Sequence, residues 1–324
     1  MPANLTPQYK AAEAKWRQAR SLEEKRQALE EMLATIPKHK GTEKLQADIK
    51  RRLARLRQEE ESRSAKHGLV FRVEPEGAAQ VVLLGPPNCG KSSLLAALTR
   101  AEPAIGDFPF TTTRPQPGMM PFEDVALQLV DLPPVAATHM DPWLPNLVRA
   151  ADAAVLFADP TSPEVPEDVE TVRQRLAEVR IPLVGSLPED ADPRDTPLPT
   201  LLVIAKVDKA REEDIQVLEE MYGKVFPTVR VSAHARTGLE RFKVALWRLL
   251  GLVRVYSKPP GKPVDRTAPF VLPEGSTVAD LAAHIHRELV EKLAFARVWG
   301  GKLEGQKVSR DFQLRDRDVV ELHA

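Results

Sequence analysis

The chain has 324 residues, 43% of them hydrophobic, long enough for two or three domains with cores of their own. Lysine plus arginine equals aspartate plus glutamate at 46 each, so net charge says nothing about a nucleic-acid partner, and no DNA partner is predicted; the first 66 residues, however, carry 16 basic against 10 acidic side chains, which is where an anionic partner would be sought. One cysteine, Cys89, excludes an intramolecular disulfide framework, and without a charged-then-apolar leader or a membrane-length apolar run the expectation is a soluble, cytoplasmic protein with no membrane partner.

Three helical signals open the chain. Thr6-Pro7 reads as a cap followed by proline at the first helical position, and Ser21-Leu-Glu-Glu24 as a capping box. Apolar residues recur at helical spacing in Leu29, Leu33 and Ile36, and again in Leu45, Ile49, Leu53 and Leu56. The short linker Pro37 to Gly41 predicts an antiparallel helical hairpin. Eight basic residues between Lys38 and Arg57 face only Glu43 and Asp48, which makes this stretch either a solvated helical face or an RNA contact.

From Gln80 to about Gly251, apolar runs alternate with helical stretches: Val81 to Leu84, Leu127 to Val130, Ala153 to Phe157, Leu201 to Ile204, and Val229 to Val231. Continuous apolar strands separated by helices predict an α/β fold with a mostly parallel sheet covered on both faces. The proline-rich segments Pro103 to Pro145 and Pro160 to Pro199 read as ordered loops. Beyond the turn-rich Lys258 to Pro263, the pattern changes to strand, capped helix at Thr277-Val-Ala-Asp280, strand, turns, and a final strand at Val319 to Leu322, which fits a small mixed sheet with one helix.

Gly85 to Ser92 matches G-x-x-x-x-G-K-S, preceded by the strand Val81 to Leu84 and followed by the helical Leu94 to Leu98. Gly85 and Gly90 let the backbone curl so that its amides point at phosphates; Lys91 reaches the terminal phosphates and Ser92 offers a hydroxyl to Mg²⁺. The predicted phosphate-contacting set is Gly85, Asn88, Cys89, Gly90, Lys91, Ser92 and Ser93. Ala205-Lys-Val-Asp208 resembles the guanine-reading N-K-x-D with its asparagine replaced. Asp208 would accept from guanine N1 and N2 while the stem of Lys206 lies over the ring. Adenine lacks those donors, a difference that discriminates by roughly 10⁴ to 10⁵. Val231-Ser-Ala-His234 resembles S-A-K/H, adding Ser232 and Ala233 to the base site. GTP or GDP is therefore expected as ligand; an ATPase would leave Asp208 idle.

Phe108-Pro-Phe-Thr-Thr112 with Pro115, Gly118 and Asp131-Leu-Pro resembles the Obg and developmentally regulated GTP-binding protein family. Tyr256-Ser-Lys-Pro, Phe270 to Val278, Ile285-His-Arg and Ala296-Arg-Val-Trp-Gly300 resemble the TGS domain of the developmentally regulated branch, a ubiquitin-like β-grasp module, and Lys38-His-Lys-Gly-Thr42 resembles its N-terminal hairpin. The resemblance implies a basic helical region over residues 1–66, an OBG-type P-loop G domain over 67–257 and a TGS domain over 258–324. It also implies association with the ribosome or rRNA in translation or subunit assembly. Mg²⁺ would be held by Ser92, by Thr112 (Thr111 being the second choice) and through water by Asp131, with Lys91 and Thr112 as catalytic residues. Asn88 either shapes the loop or coordinates K⁺, as in potassium-stimulated GTPases.

Four departures from the family pattern stand out. The D-x-x-G switch reads Asp131-Leu-Pro-Pro134, so the glycine whose amide would meet the γ-phosphate is a proline without an N–H. Val135 to Asp141 replaces the glycine-rich segment that normally follows, and Val135 itself is apolar, as the family has it. The small inserted domain and Obg's glycine-rich N-terminal domain are both expected to be absent. Losing one donor aimed at developing charge costs about 10² to 10³ in rate, so the expectation is a slow Mg²⁺-dependent GTPase; the alternative is a hydrolysis-deficient GTP/GDP-binding adaptor. Cys89 reads as a loop filler rather than a redox sensor. His139 and His234 read as polar loop residues, with His139 alternatively near an attacking water. Trp299 reads as a packing aromatic or, alternatively, an RNA-stacking one.

Overall fold

The structure, a computed structural model, describes residues 9, 12, 14–16, 22–36, 49, 51–53, 71–99, 114–137, 139–188, 190–301 and 303–323. Two compact units divide the chain, Met1–Val70 and Phe71–Ala324. In the first, Leu29 and Met32 of helix α1 (Leu22–Thr35) and Ile36 just after it share a small core with the helical residues Tyr9, Ala12, Ile49 and Leu53, with Leu33 and Trp16 against them. The helical spacing of Leu29, Leu33 and Ile36 thus marks a buried stripe. Arg52 lies 5.0 Å from the Trp16 ring centroid, and Lys15 pairs with Glu31 at 2.8 Å. Thr6, Pro7, Ser21, the Pro37–Gly41 linker, Leu45, Leu56 and most of the basic stretch Lys38–Arg57 lie outside the described residues.

The second unit holds two sheets. The larger runs β2-β3-β1-β4-β6-β5, with β7 also on β6: β1 (Gln80–Leu84), β2 (Gln116–Phe122), β3 (Val125–Asp131), β4 (Ala153–Ala158), β5 (Leu183–Val184), β6 (Leu198–Ile204) and β7 (Thr228–Arg230). All pairings are parallel except β2 with β3. Alternation along β1 sends Val82 and Leu84 into one core and Val81 and Leu83 into the other. The first core is closed by α3 (Leu144–Ala150), α4 (Val165–Glu178) and α5 (Glu212–Tyr222); the second by α2 (Lys91–Leu98) and α6 (Leu239–Leu250). This is the expected doubly covered sheet.

The proline-rich regions are less looped than expected. Residues 116–122, QPGMMPF, form β2, antiparallel to β3 from Gln116 opposite Asp131 to Phe122 opposite Val125. Its prolines fall on the exposed positions while Gly118, Met120 and Phe122 are buried. An edge strand tolerates proline because its outer N–H positions need no partner. Likewise, much of 160–199 is helix α4, with proline at its start, followed by the two-residue β5.

The smaller sheet runs β11-β10-β12-β8-β9, from β8 (Leu252–Ser257), β9 (Phe270–Pro273), β10 (Phe295–Gly300), β11 (Leu303–Val308) and β12 (Asp318–His323). Helices α7 (Val278–Ile285) and α8 (Arg287–Lys292) lie between β9 and β10, and Val278 and Leu281 of α7 pack on the sheet. The capping box forms as the sequence predicts: Thr277 N–H donates to Asp280 at 2.7 Å and Asp280 N–H returns to Thr277 Oγ1 at 3.3 Å. One boundary moves. Residues 252–257, expected to close the first domain, are a strand of the second sheet, so the sheets part at Gly251, the left-handed C-cap of α6. An apolar strand directly after a helix carries no local sign of which sheet it joins.

Arg254 of β8 ties the two sheets together. Its side chain is 3% exposed, between Trp247 and Phe122, with its guanidinium carbon 5.2 and 5.8 Å from their ring centroids. It meets Asp316 through two parallel bonds of 3.0 and 2.6 Å, then Asp124 at 2.9 Å and Glu123. Glu123 and Asp124 form the turn of the β2–β3 hairpin. Arg317 adds a 2.6 Å bond to Glu123, and the Tyr256 hydroxyl bonds to Asp124.

Candidate nucleotide-binding site

Because β1, β3, β4, β6 and β7 are parallel, their C-terminal ends share one edge of the sheet, and the loops leaving that edge carry nearly every predicted site residue. From β1 the chain enters the Gly85–Gly90 loop and then α2. A side-chain carbon at Gly85 would sit 2.8 Å from Cys89 Sγ and 3.1 Å from Phe157 Cβ, so only glycine lets the loop turn so close to β4. Gly90, at φ 106°, is the N-cap of α2 and needs no side chain for a left-handed conformation. Asn88 is exposed at φ 59°, a region asparagine tolerates better than most residues, which fits the loop-shaping reading.

Lys91 is buried, and its ammonium donates to the carbonyls of Gly85 and Pro86 at 3.0 and 2.8 Å. The lysine is thereby folded over the loop it belongs to. Ser92 Oγ bonds to Oδ2 of Asp131, the fully buried last residue of β3, which lies beside Leu83 in the strand register. A hydroxyl and a carboxylate converge there, hard oxygen donors of the kind Mg²⁺ takes together with phosphate and water. Ser93 is half-buried in the first turn of α2. Thr111 and Thr112 lie outside the described residues.

Cys89 is buried in the core beneath the loop, matching the filler reading. Burial pushes its thiol up, with Lys91, 3.6 Å away, pulling the other way. Labelling by a thiol reagent near pH 7.5 is expected to run about tenfold or more slower than in the unfolded chain; equal rates would show that the loop is open.

The segment after Asp131 is held tightly. Leu132, Pro133, Pro134 and Val135 are all buried, Leu132 and Val135 within the core that also holds Trp143 and Leu144. The Val135 N–H donates to the Gly85 carbonyl at 3.3 Å. Ala136 and His139 then close a small backbone bridge, and the half-buried His139 lies 3.7 Å from Asp141, a polar loop residue as expected.

The base-side motifs lie further along the same edge. Ala205, buried, donates its N–H to the Ala158 carbonyl at 2.8 Å. Its Cβ would be 3.8 Å from a carbon added at Gly90, so the position that an asparagine would fill borders the phosphate loop. Lys206 is left-handed at φ 53° and its ammonium meets Asp159 at 2.5 Å. Asp208 is exposed; a hydrogen bond from Ser232, then the nearby His234 and Lys209, holds its carboxyl below the usual range despite some desolvation. Ser232 is fully buried, fixed by two 3.0 Å backbone bonds with Thr237 and by the Ala235 N–H at 2.9 Å. Ala233 is half-buried and His234 exposed beside it. No motif in the sequence marks Asp159, and the only local hint is an acid directly following a fully buried strand.

In the second sheet, Trp299 lies under the Lys258 ammonium, 4.7 Å from its ring centroid, and closes on Gly305, where an added carbon would meet the indole at 2.8 Å. That is the packing role. Among the described residues no helix is long and apolar enough to cross a membrane.

Comparison with known proteins agrees with this geometry. Residues 80–186 match the family described as 50S ribosome-binding GTPase, and residues 253–324 match the TGS domain. An uncharacterized GTP-binding protein of Halobacterium salinarum is 30% identical, with 94% of this chain and 99% of the relative aligned. That alignment spans 369 positions, more than the chain's own 324 residues, so the relative carries segments this chain lacks. Developmentally-regulated GTP-binding protein 1 of Xenopus laevis is 27% identical over 91% of this chain and 96% of its own length. The crystal structure of a GTP binding protein from Pyrococcus horikoshii shares the fold at a TM-score of 0.50 and 18% identity, covering 76% of this chain and 99% of that one. With a P-loop G domain, a C-terminal TGS domain and relatives aligned nearly end to end, the chain belongs to the developmentally regulated GTP-binding protein family.

Proposed function

We propose that this protein is a slow GTPase of the ribosome-associated type, which holds GTP and Mg²⁺ at the common strand edge and docks on the ribosome or rRNA. The observation that carries the reading is the meeting of two half-sites on one edge: Lys91 and the Ser92–Asp131 contact on the phosphate side, Lys206 held by Asp159 with the exposed Asp208 and the buried Ser232 on the base side. Gly85, Asn88, Cys89, Gly90, Ser93 and Ala233 complete the cradle. Ser92 and Asp131 fit Mg²⁺, with Thr112 as the third residue of that set. When bound, the ion neutralises charge between the phosphates. The chain's own contribution is to orient: the loop amides and Lys91 fix the phosphates, and Asp208 selects the base.

Slowness follows from residues 134 and 135. Pro134 has no N–H to offer the γ-phosphate, and the next amide, Val135, is engaged with Gly85. The same burial of Leu132 to Val135 favours a second reading, a GTP/GDP-binding adaptor that hydrolyses nothing and whose segment after Asp131 does not respond to the γ-phosphate. Ribosome docking is supported by the description of the matched family, by the TGS domain and by the basic N-terminal composition. A K⁺ ion at Asn88 would supply charge that an arginine supplies in other GTPases.

Single-turnover GTP hydrolysis, with and without ribosomal subunits and in KCl or NaCl, tests all of this. The expected result is slow turnover stimulated by subunits and raised roughly 10²-fold by Pro134→Gly. No hydrolysis in any condition, with Pro134→Gly equally silent, establishes the adaptor. Equal rates in KCl and NaCl remove the cation. Sedimentation with subunits that is identical in GDP and in a non-hydrolysable GTP analogue also favours the adaptor.

A further inference from the structure

The guanine motif here lacks its asparagine, yet the lysine that follows is held by an ion pair to Asp159. Lys206 adopts a left-handed conformation that costs a non-glycine residue energy, so something must fix it. Its ammonium lies 2.5 Å from Asp159 Oδ2. Asp159 is 8% exposed and directly follows β4. Its other oxygen accepts from the Thr161 N–H at 3.0 Å and from the Thr161 hydroxyl at 2.7 Å, and its carbonyl accepts from Ser162 N–H at 3.0 Å. The acid is therefore immobilised before it meets the lysine. One residue earlier, the Ala158 carbonyl takes the Ala205 N–H at 2.8 Å, so the end of β4 and the residue after it grip the loop after β6 at two successive residues. Ala205 itself supplies only a methyl group toward Gly90.

We propose that Asp159 is a positioning residue of the guanine site: it holds the Lys206 side chain extended as the platform for the purine ring, replacing the anchoring an asparagine at 205 would give. This rests on the reading of Lys206 and Asp208 as the base site. Asp159 touches no nucleotide atom in this scheme; it acts through Lys206. Its effect is therefore confined to ligands that have a base, and it disappears when Lys206 cannot form the ion pair.

The test measures Kd for GDP, ADP and inorganic pyrophosphate with Asp159→Ala, Asp159→Asn and Lys206→Met, alone and combined. Asp159→Ala is expected to weaken GDP about tenfold, the loss of one charge-assisted bond discounted for solvent at Lys206, while leaving pyrophosphate unchanged. In the Lys206→Met background, Asp159→Ala should add nothing, and Ala205→Asn should restore most of the GDP affinity of Asp159→Ala. Asp159→Asn, which keeps the bonds to Thr161, guards against simple misfolding and should show the same selective loss. The proposal is overturned if both Asp159 variants bind GDP as the wild type does, if they lose pyrophosphate in equal measure, or if the losses from Asp159→Ala and Lys206→Met add. Should the wild-type protein bind ADP as tightly as GDP, the base-site reading itself fails and takes the proposal with it.

Discussion

Replacing Asp208 with asparagine should weaken GDP binding by about 10² to 10⁴ and create a preference for xanthosine diphosphate. Two charge-assisted hydrogen bonds to guanine N1 and N2 are at stake, each worth about 1.5 to 3 kcal/mol, and 1.4 kcal/mol is a factor of ten. The low end is the better guide, because Asp208 is exposed in the structure and must shed water when the base arrives. Ser232, then His234 and Lys209, hold the Asp208 carboxyl below its usual value near 4, so guanine affinity should be flat from about pH 5 to 8. Xanthine carries a carbonyl where guanine carries its amino group, and an amide at 208 can donate to it while still accepting from N1. Titration of GDP and xanthosine diphosphate against the two proteins gives the answer. An unchanged ratio of the two affinities would remove Asp208 from the base site.

Arg254→Met should cost the second unit about 3 kcal/mol and loosen the smaller sheet from the β2–β3 hairpin. Breaking a buried ion pair from one side costs roughly 3 to 5 kcal/mol. Here the arginine is 3% exposed but Glu123, Asp124 and Asp316 are 45%, 25% and 36% exposed, so the abandoned carboxylates can rehydrate and the lower figure applies. Methionine keeps much of the stem packed against Trp247 and Phe122. Acid provides an independent check. Hydrogen bonds from Arg254 and Arg317 lower Glu123; burial raises Asp124 and Asp316, but bonds from Tyr256 and Arg254 to the former, and from Arg254 to the latter, more than offset it. Depressed carboxyls contribute stability that is complete above their unfolded values, about 4, and that disappears as pH falls through their folded values. Wild-type stability should therefore drop below about pH 4 by more than that of Arg254→Met. Urea unfolding at pH 7 and at acid pH would show it; parallel losses in the two proteins would mean that the cluster is not coupled to stability.

The same cluster bears on function. Glu123 and Asp124 turn the hairpin whose second strand ends at Asp131, one of the two residues suited to Mg²⁺. The smaller sheet is thus fastened to the outer end of a strand whose inner end lies at the phosphate side of the site. In Arg254→Met, hydrolysis and subunit binding can be measured alongside stability.

The sequence by itself determined the parts that are local. The run Val81 to Ser92 specifies strand, loop and helix in order, because glycine and lysine spacing alone decides whether a backbone can cradle phosphate. Thr277 to Asp280 specifies a helix start, since both hydrogen bonds close within four residues. That Asp208 and Ser232 would lie on the edge shared with the Gly85–Gly90 loop was legible because the order of the motifs along a parallel sheet fixes their common edge. Only the tertiary structure decided what depends on distant partners. Asp159 meets Lys206 across 47 residues, and Arg254 meets Asp124 across 130, and neither spacing leaves a periodic trace. The proline-bearing β2 becomes a strand only because it falls on an edge, and β8 joins the second sheet only because β12 and β9 offer their sides to it. A residue's own conformational preferences act over a few bonds, whereas pairing and burial are settled by whatever else the fold brings within reach.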